Sequence, residues 1–203
     1  MTNLLSLAAA LILVGATQAA AHTITPGTSG FTDGLYHPFG LPVHVMLLLG
    51  VGLLLGQQDI VRWRAPIYGF LTGLMLGLGA GPLLTTPPLE QAVAVTLLAL
   101  AVILGGLIAL TRRLPPAFLA PLMALAGGAL GFDSAPNGSL QQTLAALAGT
   151  GFATVFVILN LAMLAHYARG NVGQAWQAIG LRVVGSWIAA AAIMVLALQL
   201  RPV

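Results

Sequence analysis

Residues 90–111 read EQAVAVTLLALAVILGGLIALT, and Glu90 is the single charged residue among them. A helix needs about 20 predominantly apolar residues to cross the hydrocarbon core of a bilayer, and this run is long enough. Five further apolar segments lie before and after it. We therefore predict helices over residues 41–57, 66–84, 90–111, 116–131, 142–167 and 178–199. The predicted fold is all-α, a polytopic transmembrane bundle of six helices that follows a signal-like N-terminal segment.

The composition of the whole chain agrees with a membrane protein. Hydrophobic residues make up 59% of it and charged residues 5%, whereas soluble domains are about one quarter charged. Lysine and cysteine are absent, so disulfides and thiolate metal sites are excluded. The arginines lie at the ends of apolar segments and form no continuous stripe, which excludes nucleic acid and leaves the lipid bilayer as the expected partner. No nucleotide-binding, GxSxG or HExxH motif occurs, so we predict neither an enzyme nor a firmly bound cofactor.

The first 21 residues have the pattern of a secretory signal peptide. Residues 4–14 form a short apolar run, and three alanines at 19–21 supply small residues at a suitable cleavage point. No basic residue precedes the apolar run, so a retained helix is the alternative. The predicted organisation is a signal peptide over residues 1–21 and a single six-helix transmembrane domain over residues 22–203. Residues 23–34 are predicted to be an extended or turn-rich lead-in to that domain.

Arginine is distributed unevenly over the predicted loops. The first, third and fifth connections carry Arg62, Arg64, Arg112, Arg113 and Arg169, whereas the second and fourth carry none. Short cytoplasmic loops of membrane proteins are enriched in basic residues. We therefore predict that the arginine-bearing loops are cytoplasmic and that the mature N-terminus lies outside a bacterial-type inner membrane.

Glycine recurs at helical spacing inside the second predicted helix. Gly69, Gly73 and Gly77 are four residues apart, so they lie along one face and allow a neighbouring backbone to approach closely. Packing within one chain is the preferred interpretation, and a dimer interface is the alternative. The sequence leaves the oligomeric state open.

Side chains that can bind metals or protons collect at the predicted outer end of the bundle. His37 and His44 lie at the start of the first helix, Glu90 at the start of the third, and Asp133 after the fourth. Ionisable residues in membrane segments are costly, so each is a functional candidate. Imidazole is a suitable ligand for nickel, cobalt, copper and zinc. For Glu90 the alternative is a structural role, because the helix dipole favours a carboxylate at a helix start.

Two prolines, Pro38 and Pro42, lie between the two histidines. An uninterrupted helix would hold His37 and His44 on one face about two turns apart. Proline disfavours such a helix, so the sequence leaves the relative position of the two rings open.

Residues 30–44, GFTDGLYHPFGLPVH, resemble the signature of the HupE/UreJ family. That signature runs His-Pro, two residues, glycine, one residue, Asp-His, and then an apolar helix. His37, Pro38 and His44 stand at the matching spacing. Residues 90–96, EQAVAVT, resemble a second motif of the family, Glu-x-x-Ile-Ala-x-Ser. The chain is thus similar to a family of small membrane proteins regarded as nickel or cobalt permeases.

Several positions depart from the family pattern. Leu41 and Val43 stand where the family has glycine and aspartate. Residues 126–131, AGGALG, match the glycines of a His-Gly-x-Ala-His-Gly stretch without its histidines, and Asn160 falls where a further histidine is expected. The resemblance therefore carries over three site residues, His37, His44 and Glu90.

The resemblance implies a secondary permease for a divalent transition metal, with Ni²⁺ or Co²⁺ as the transported ion. His37 and His44 would be ligands at the outer mouth, and Glu90 a ligand or a charge-compensating group. The alternative is a non-transporting accessory protein of the same fold, associated with metalloenzyme assembly, and the lost histidines favour it. An intramembrane enzyme has little support, because no nucleophile and base can be assigned to one depth.

Overall fold

The computed structural model describes residues 30–135, 139–170 and 175–201, and nearly all of them are helical. The predicted signal peptide over residues 1–21 lies outside this part. The described elements are α1 (Phe31–Gly40), α2 (Pro42–Gly56), a 3₁₀ turn (Ile60–Arg62), α3 (Arg64–Leu84), α4 (Pro87–Leu110), α5 (Pro116–Asp133), α6 (Leu140–Gly170) and α7 (Ala175–Gln199).

The described helices make a membrane bundle. Five of them, α3 to α7, are long and apolar enough to cross a bilayer, and α1 with α2 forms a bent pair that can serve as a sixth span. The six predicted segments are confirmed, and their ends fall within three residues of the predicted ones. The chain is therefore a multi-pass, all-α membrane protein.

From α2 to α7, successive helices run in opposite directions, so the bundle has two chemically different ends. The histidine end holds His37, His44 and Asp133, and it includes the starts of α2, α4 and α6. The arginine end holds the connections that carry Arg62, Arg112 and Arg169.

The first helix corrects the prediction for the lead-in. Residues 23–34 were expected to be extended or turn-rich. Residues 31–34 instead form the first turn of α1, which begins at Phe31, directly after Gly30 with a positive φ of 65°. Residues 23–29 of the predicted lead-in lie outside the described part of the chain. Helix α1 packs on α6 so closely that a Cβ at Gly34 would overlap the Ala146 backbone. This contact with α6 stabilises a short helix that its own composition does not predict.

A proline inside α1 frees a carbonyl that α6 then satisfies. Pro38 has no N–H, so the carbonyl of Gly34, four residues earlier, lacks its usual helical donor. The hydroxyl of Thr150 on α6 is fully buried and donates to that carbonyl at 3.1 Å. The Thr150 hydroxyl thus replaces the donor that Pro38 lacks, so the Gly34 carbonyl is not left unpaired. The same hydrogen bond links α1 to α6.

The chain turns sharply at Leu41. Its backbone is extended (φ −113°, ψ 125°), as expected for a residue before proline. Helix α2 then begins at Pro42, and its axis makes an angle of 87° with α1. The expectation that Pro38 and Pro42 prevent one continuous helix is confirmed, with the break between them.

Helix α2 is the central helix of the bundle. Residues 50–58 are all buried, and α2 contacts α1, α4, α5, α6 and α7. Its glycines permit this crowding: a Cβ at Gly56 would overlap the Ala162 carbonyl of α6. Between His44 and Gln57, α2 carries only apolar residues and glycine.

The glycine repeat of α3 packs within the chain. A Cβ at Gly69, Gly73 or Gly77 would overlap backbone atoms of α5, at Ala120, Ala124 and Gly128 respectively. In the same way, a Cβ at Gly127 or Gly131 of α5 would overlap backbone atoms of α3. The α3–α5 pair is accordingly the most extensive helix contact among the described residues. The prediction of intrachain packing at these three glycines is confirmed.

Two buried glutamines that follow α2 bond to the last turn of α4 and to the α4–α5 connection at the arginine end. The Gln57 amide donates to the Ile108 carbonyl at 3.0 Å, and the Gln58 amide donates to the Arg112 carbonyl at 3.2 Å. The Gln58 side-chain oxygen accepts from the Leu114 N–H at 3.0 Å. These bonds satisfy backbone groups that the end of α4 leaves open.

Candidate metal centre

A buried histidine and a carboxylate are paired at the histidine end. His44, in the first turn of α2, is 0% exposed, and its Nε2 lies 2.8 Å from Oδ2 of Asp133 at the end of α5. The Asp133 side chain is 24% exposed, so the pair extends from the buried interior to the partly exposed surface at this end of the bundle. A hydrogen bond of this length to a carboxylate is a strong one.

This pairing assigns the tautomer of His44. When Nε2–H donates to Asp133, the neutral ring carries its free lone pair on Nδ1. Nδ1 is buried and has no hydrogen-bond partner. A carboxylate that holds one imidazole nitrogen in this way is the usual support for a histidine that binds a metal through the other.

The second histidine lies against the first. The ring centroids of His37 and His44 are 5.9 Å apart, with the planes inclined by 43°. Nε2 of His37 is also buried without a hydrogen-bond partner. An ion about 2 Å from one nitrogen of each ring would hold the two centroids about 5 to 6 Å apart. The observed spacing therefore suits two imidazoles that share one ion.

The bend at Leu41 produces this approach. Without the break, the seven-residue spacing would separate the rings by about 10 Å along one helix. The 87° turn folds α1 back so that His37 approaches the first turn of α2. The arrangement of Pro38, Leu41 and Pro42 is therefore part of the site.

Two further polar residues belong to the same end of the bundle, Ser134 and Asp33. Oγ of Ser134, next to Asp133, is buried without a hydrogen-bond partner. Asp33 and Asp133 are both close enough to His37 to interact with it electrostatically. Buried polar atoms normally have partners, so the two unpartnered nitrogens on the neighbouring rings of His37 and His44 indicate a place where an ion or polar ligand can bind.

Glu90 is not brought to the histidines. It lies in the first turn of α4 at the same end of the bundle, and its side chain is exposed. Within the described ranges, no group of three His, Cys, Asp or Glu side chains is arranged to hold a metal ion. The site thus offers two imidazoles and a carboxylate that already binds one of them, and the assignment of Glu90 to it remains a prediction.

Asp133 is the residue that sequence reasoning left out of the site. The sequence does locate it at the same end as the histidines, but no motif links it to them. The signal that points to it is the rarity of acids: it is one of four in the chain and ends a helix of otherwise apolar residues. Its partnership with His44 depends on how α5 packs beside α2.

The remaining described histidine belongs to the opposite end. The ring of His166 on α6 meets the edge of Trp63 with the centroids 5.9 Å apart. Trp63 in turn donates from Nε1 to the Gln58 carbonyl at 3.3 Å. His166 therefore takes part in the packing of the arginine end.

Comparison with known proteins gives one match. A protein-family model described as "HupE / UreJ protein" matches residues 9–195. Searches of curated proteins and of solved structures find no significant match.

Proposed function

The chain belongs to the HupE/UreJ family, and from that premise we propose that it is a secondary permease for a divalent transition metal, nickel or cobalt. The observation that carries the proposal is the cluster of His37, His44 and Asp133 around the buried His44 ring. Two imidazole nitrogens without partners, one of them oriented by a carboxylate, are the donors that such ions prefer.

In this proposal the ion binds Nε2 of His37 and Nδ1 of His44. Two imidazoles form a weak site, which suits transport because the ion must leave as well as enter. Asp133 orients His44 and offsets part of the positive charge. Glu90, exposed at the same end, attracts the ion to the entrance.

We propose further that the histidine end faces the outside of a bacterial-type inner membrane. The arginine-bearing loops would then be cytoplasmic, as basic loops usually are. Below His44, α2 is apolar as far as Gln57. A change of helix packing must therefore open a path for the ion, and the glycine-rich contacts of α2 are where helices can slide at small cost in side-chain rearrangement.

The proposal is tested by metal uptake. Cells that produce the protein should accumulate nickel or cobalt faster than cells with an empty vector when the external concentration is low. Equal accumulation, with the protein present in the membrane, would contradict the permease function. The alternative, an accessory protein for metalloenzyme assembly, is supported by the absence of family histidines at Ala126, Leu130 and Asn160. It predicts normal uptake but a metalloenzyme that stays unloaded without this chain.

Asp133 provides a graded prediction. Asp133→Ala removes the hydrogen-bond acceptor of His44 and is expected to lower the apparent metal affinity about 10- to 100-fold, the usual effect of losing an outer-shell partner. The concentration of nickel or cobalt that gives half-maximal uptake measures it. Asp59→Ala is the control, because Asp59 is a carboxylate of the arginine end that pairs with Arg62. An unchanged half-maximal concentration in Asp133→Ala would exclude its role.

Glu90→Gln is expected to have a smaller effect. An exposed carboxylate at the entrance raises the local concentration of cations but does not hold the ion. The variant should raise the half-maximal concentration a few fold, about as expected for one screened charge, and leave the maximal rate intact. The effect should shrink as the ionic strength rises. Complete loss of uptake at saturating metal would instead identify Glu90 as a ligand.

A further inference from the structure

An apolar crevice lies between α3 and α6 toward the arginine end. Its floor is formed by Val51 and Leu55 of α2, and its walls by residues of the two flanking helices, among them Ile67, Leu71, Val155 and Leu159. It is open on one side, and every lining residue is apolar. Helices α3 and α6 make few direct contacts, so the described part of the chain leaves the crevice between them open along its length.

The open side of the crevice lies on the outer surface of the helix bundle, which in a membrane protein is the surface in contact with lipid. Ile67, Leu71 and Val155 are partly exposed, and Leu159 is 37% exposed, as expected for side chains at a lipid boundary. In a membrane protein an apolar cleft of this kind is filled by hydrocarbon rather than by water, because it offers no polar partner. The occupant that the surroundings supply is an acyl chain.

Basic side chains lie beyond the crevice at the arginine end of the bundle. Arg64 precedes Ile67 and Leu71 by three and seven residues, so it lies on the same face of α3. Ile158 of α6 also lines the crevice, and Arg169 lies three helical turns beyond it, on the corresponding face of α6. The contact between Trp63 and His166 holds these two helix ends together.

These two arginines are available to a ligand. Arg64 is exposed and Arg169 partly exposed. Neither forms a salt bridge to a described residue, whereas Arg62 and Arg113 are paired with Asp59. Guanidinium groups bind phosphate through a planar fork of donors.

We propose that the α3–α6 crevice is a binding site for one anionic phospholipid, with an acyl chain against Val51 and Leu55 and the headgroup phosphate between Arg64 and Arg169. Basic clefts between transmembrane helices on the cytoplasmic side are suited to anionic lipids. The site lies at the opposite end from His44 and is independent of the proposed metal transport.

The test uses the purified full-length protein in detergent, with phosphatidylglycerol and phosphatidylcholine of identical acyl chains. Retained lipid is counted by native mass spectrometry. The wild type should retain phosphatidylglycerol preferentially, and Arg64→Gln/Arg169→Gln should reduce this preference about fivefold per arginine removed. Val155→Trp, and as a second variant Leu159→Trp at the rim, should reduce retention of both lipids by filling the crevice.

A charge-matched control separates the site from general attraction. Arg182→Gln/Arg201→Gln removes two positive charges elsewhere and should leave the preference unchanged. Soluble glycerophosphoglycerol, which has the headgroup without the chains, should not displace bound phosphatidylglycerol. The proposal is overturned if the wild type retains both lipids equally, or if the control pair loses the preference as fully as the Arg64 and Arg169 pair.

Discussion

Replacing His44 with alanine is expected to reduce nickel or cobalt uptake to the level of cells with an empty vector. The change removes one of two imidazole donors and leaves Asp133 without its partner at 2.8 Å. Losing a ligand should cost more than the roughly 10- to 100-fold that follows from losing an outer-shell group. The measurement is the initial rate of uptake, normalised to the amount of protein in the membrane.

Two further variants control this experiment. His166→Ala removes an imidazole from the arginine end and should retain most of the uptake. His37→Gln removes the second donor while keeping a polar side chain of similar length, and it should resemble His44→Ala. Wild-type rates in both His44→Ala and His37→Gln, at equal abundance, would show that the ion does not bind at these rings.

A second large effect is expected where α3 crosses α5. Gly73→Ala would place a Cβ in overlap with the Ala124 carbonyl and the Gly128 N–H. These are backbone atoms, so no change of side-chain rotamer can relieve the overlap. The helices must separate, and overpacking of this kind costs about 1–3 kcal/mol or more. The unfolding midpoint in detergent should fall, and less protein should accumulate in the membrane.

Gly79→Ala is the matched control on the same helix. A Cβ at Gly79 meets no atom within 4 Å, because this residue is exposed. Alanine is the better helix former by about 0.5–1 kcal/mol, so Gly79→Ala should be neutral or slightly stabilising. Equal destabilisation by both variants would mean that helix propensity, and not the close contact with α5, is what these glycines provide.

The sequence predicted the spans well because the bilayer imposes a length and a composition on each of them. Residues 90–111 are such a case: the observed helix, Pro87–Leu110, differs from the prediction mainly by the two prolines that open it. The glycine repeat of α3 also predicted close packing correctly, because small residues spaced four apart let the backbone of a neighbouring helix approach.

Helix α1 could not be predicted in the same way. It has ten residues, a proline near its end and an acidic residue in its first turn. Such a segment is marginal as an isolated helix. What stabilises it is distant in sequence: the Thr150 hydroxyl that replaces the hydrogen bond lost at Pro38, and the close approach of Gly149 to Phe31 and Leu35.

The sequence drew attention to the two histidines of the candidate site but did not predict how they are arranged. His37 and His44 follow from a motif, but their 5.9 Å separation depends on the angle at Leu41, which two prolines permit without determining. Asp133 was expected at the right end of the bundle, yet its hydrogen bond with His44 spans 89 residues of sequence. Only the packing of α5 beside α2 brings them together.

The measurement that tests the proposed metal site most directly is equilibrium binding of Co²⁺ to the purified protein, followed by dialysis and by the visible absorption of the bound ion. We predict about one ion per chain with a spectrum typical of nitrogen and oxygen ligands. That ion should be lost in His37→Ala/His44→Ala and retained in His166→Ala. Binding that is absent from the wild type, or that survives removal of both His37 and His44, would contradict the proposal.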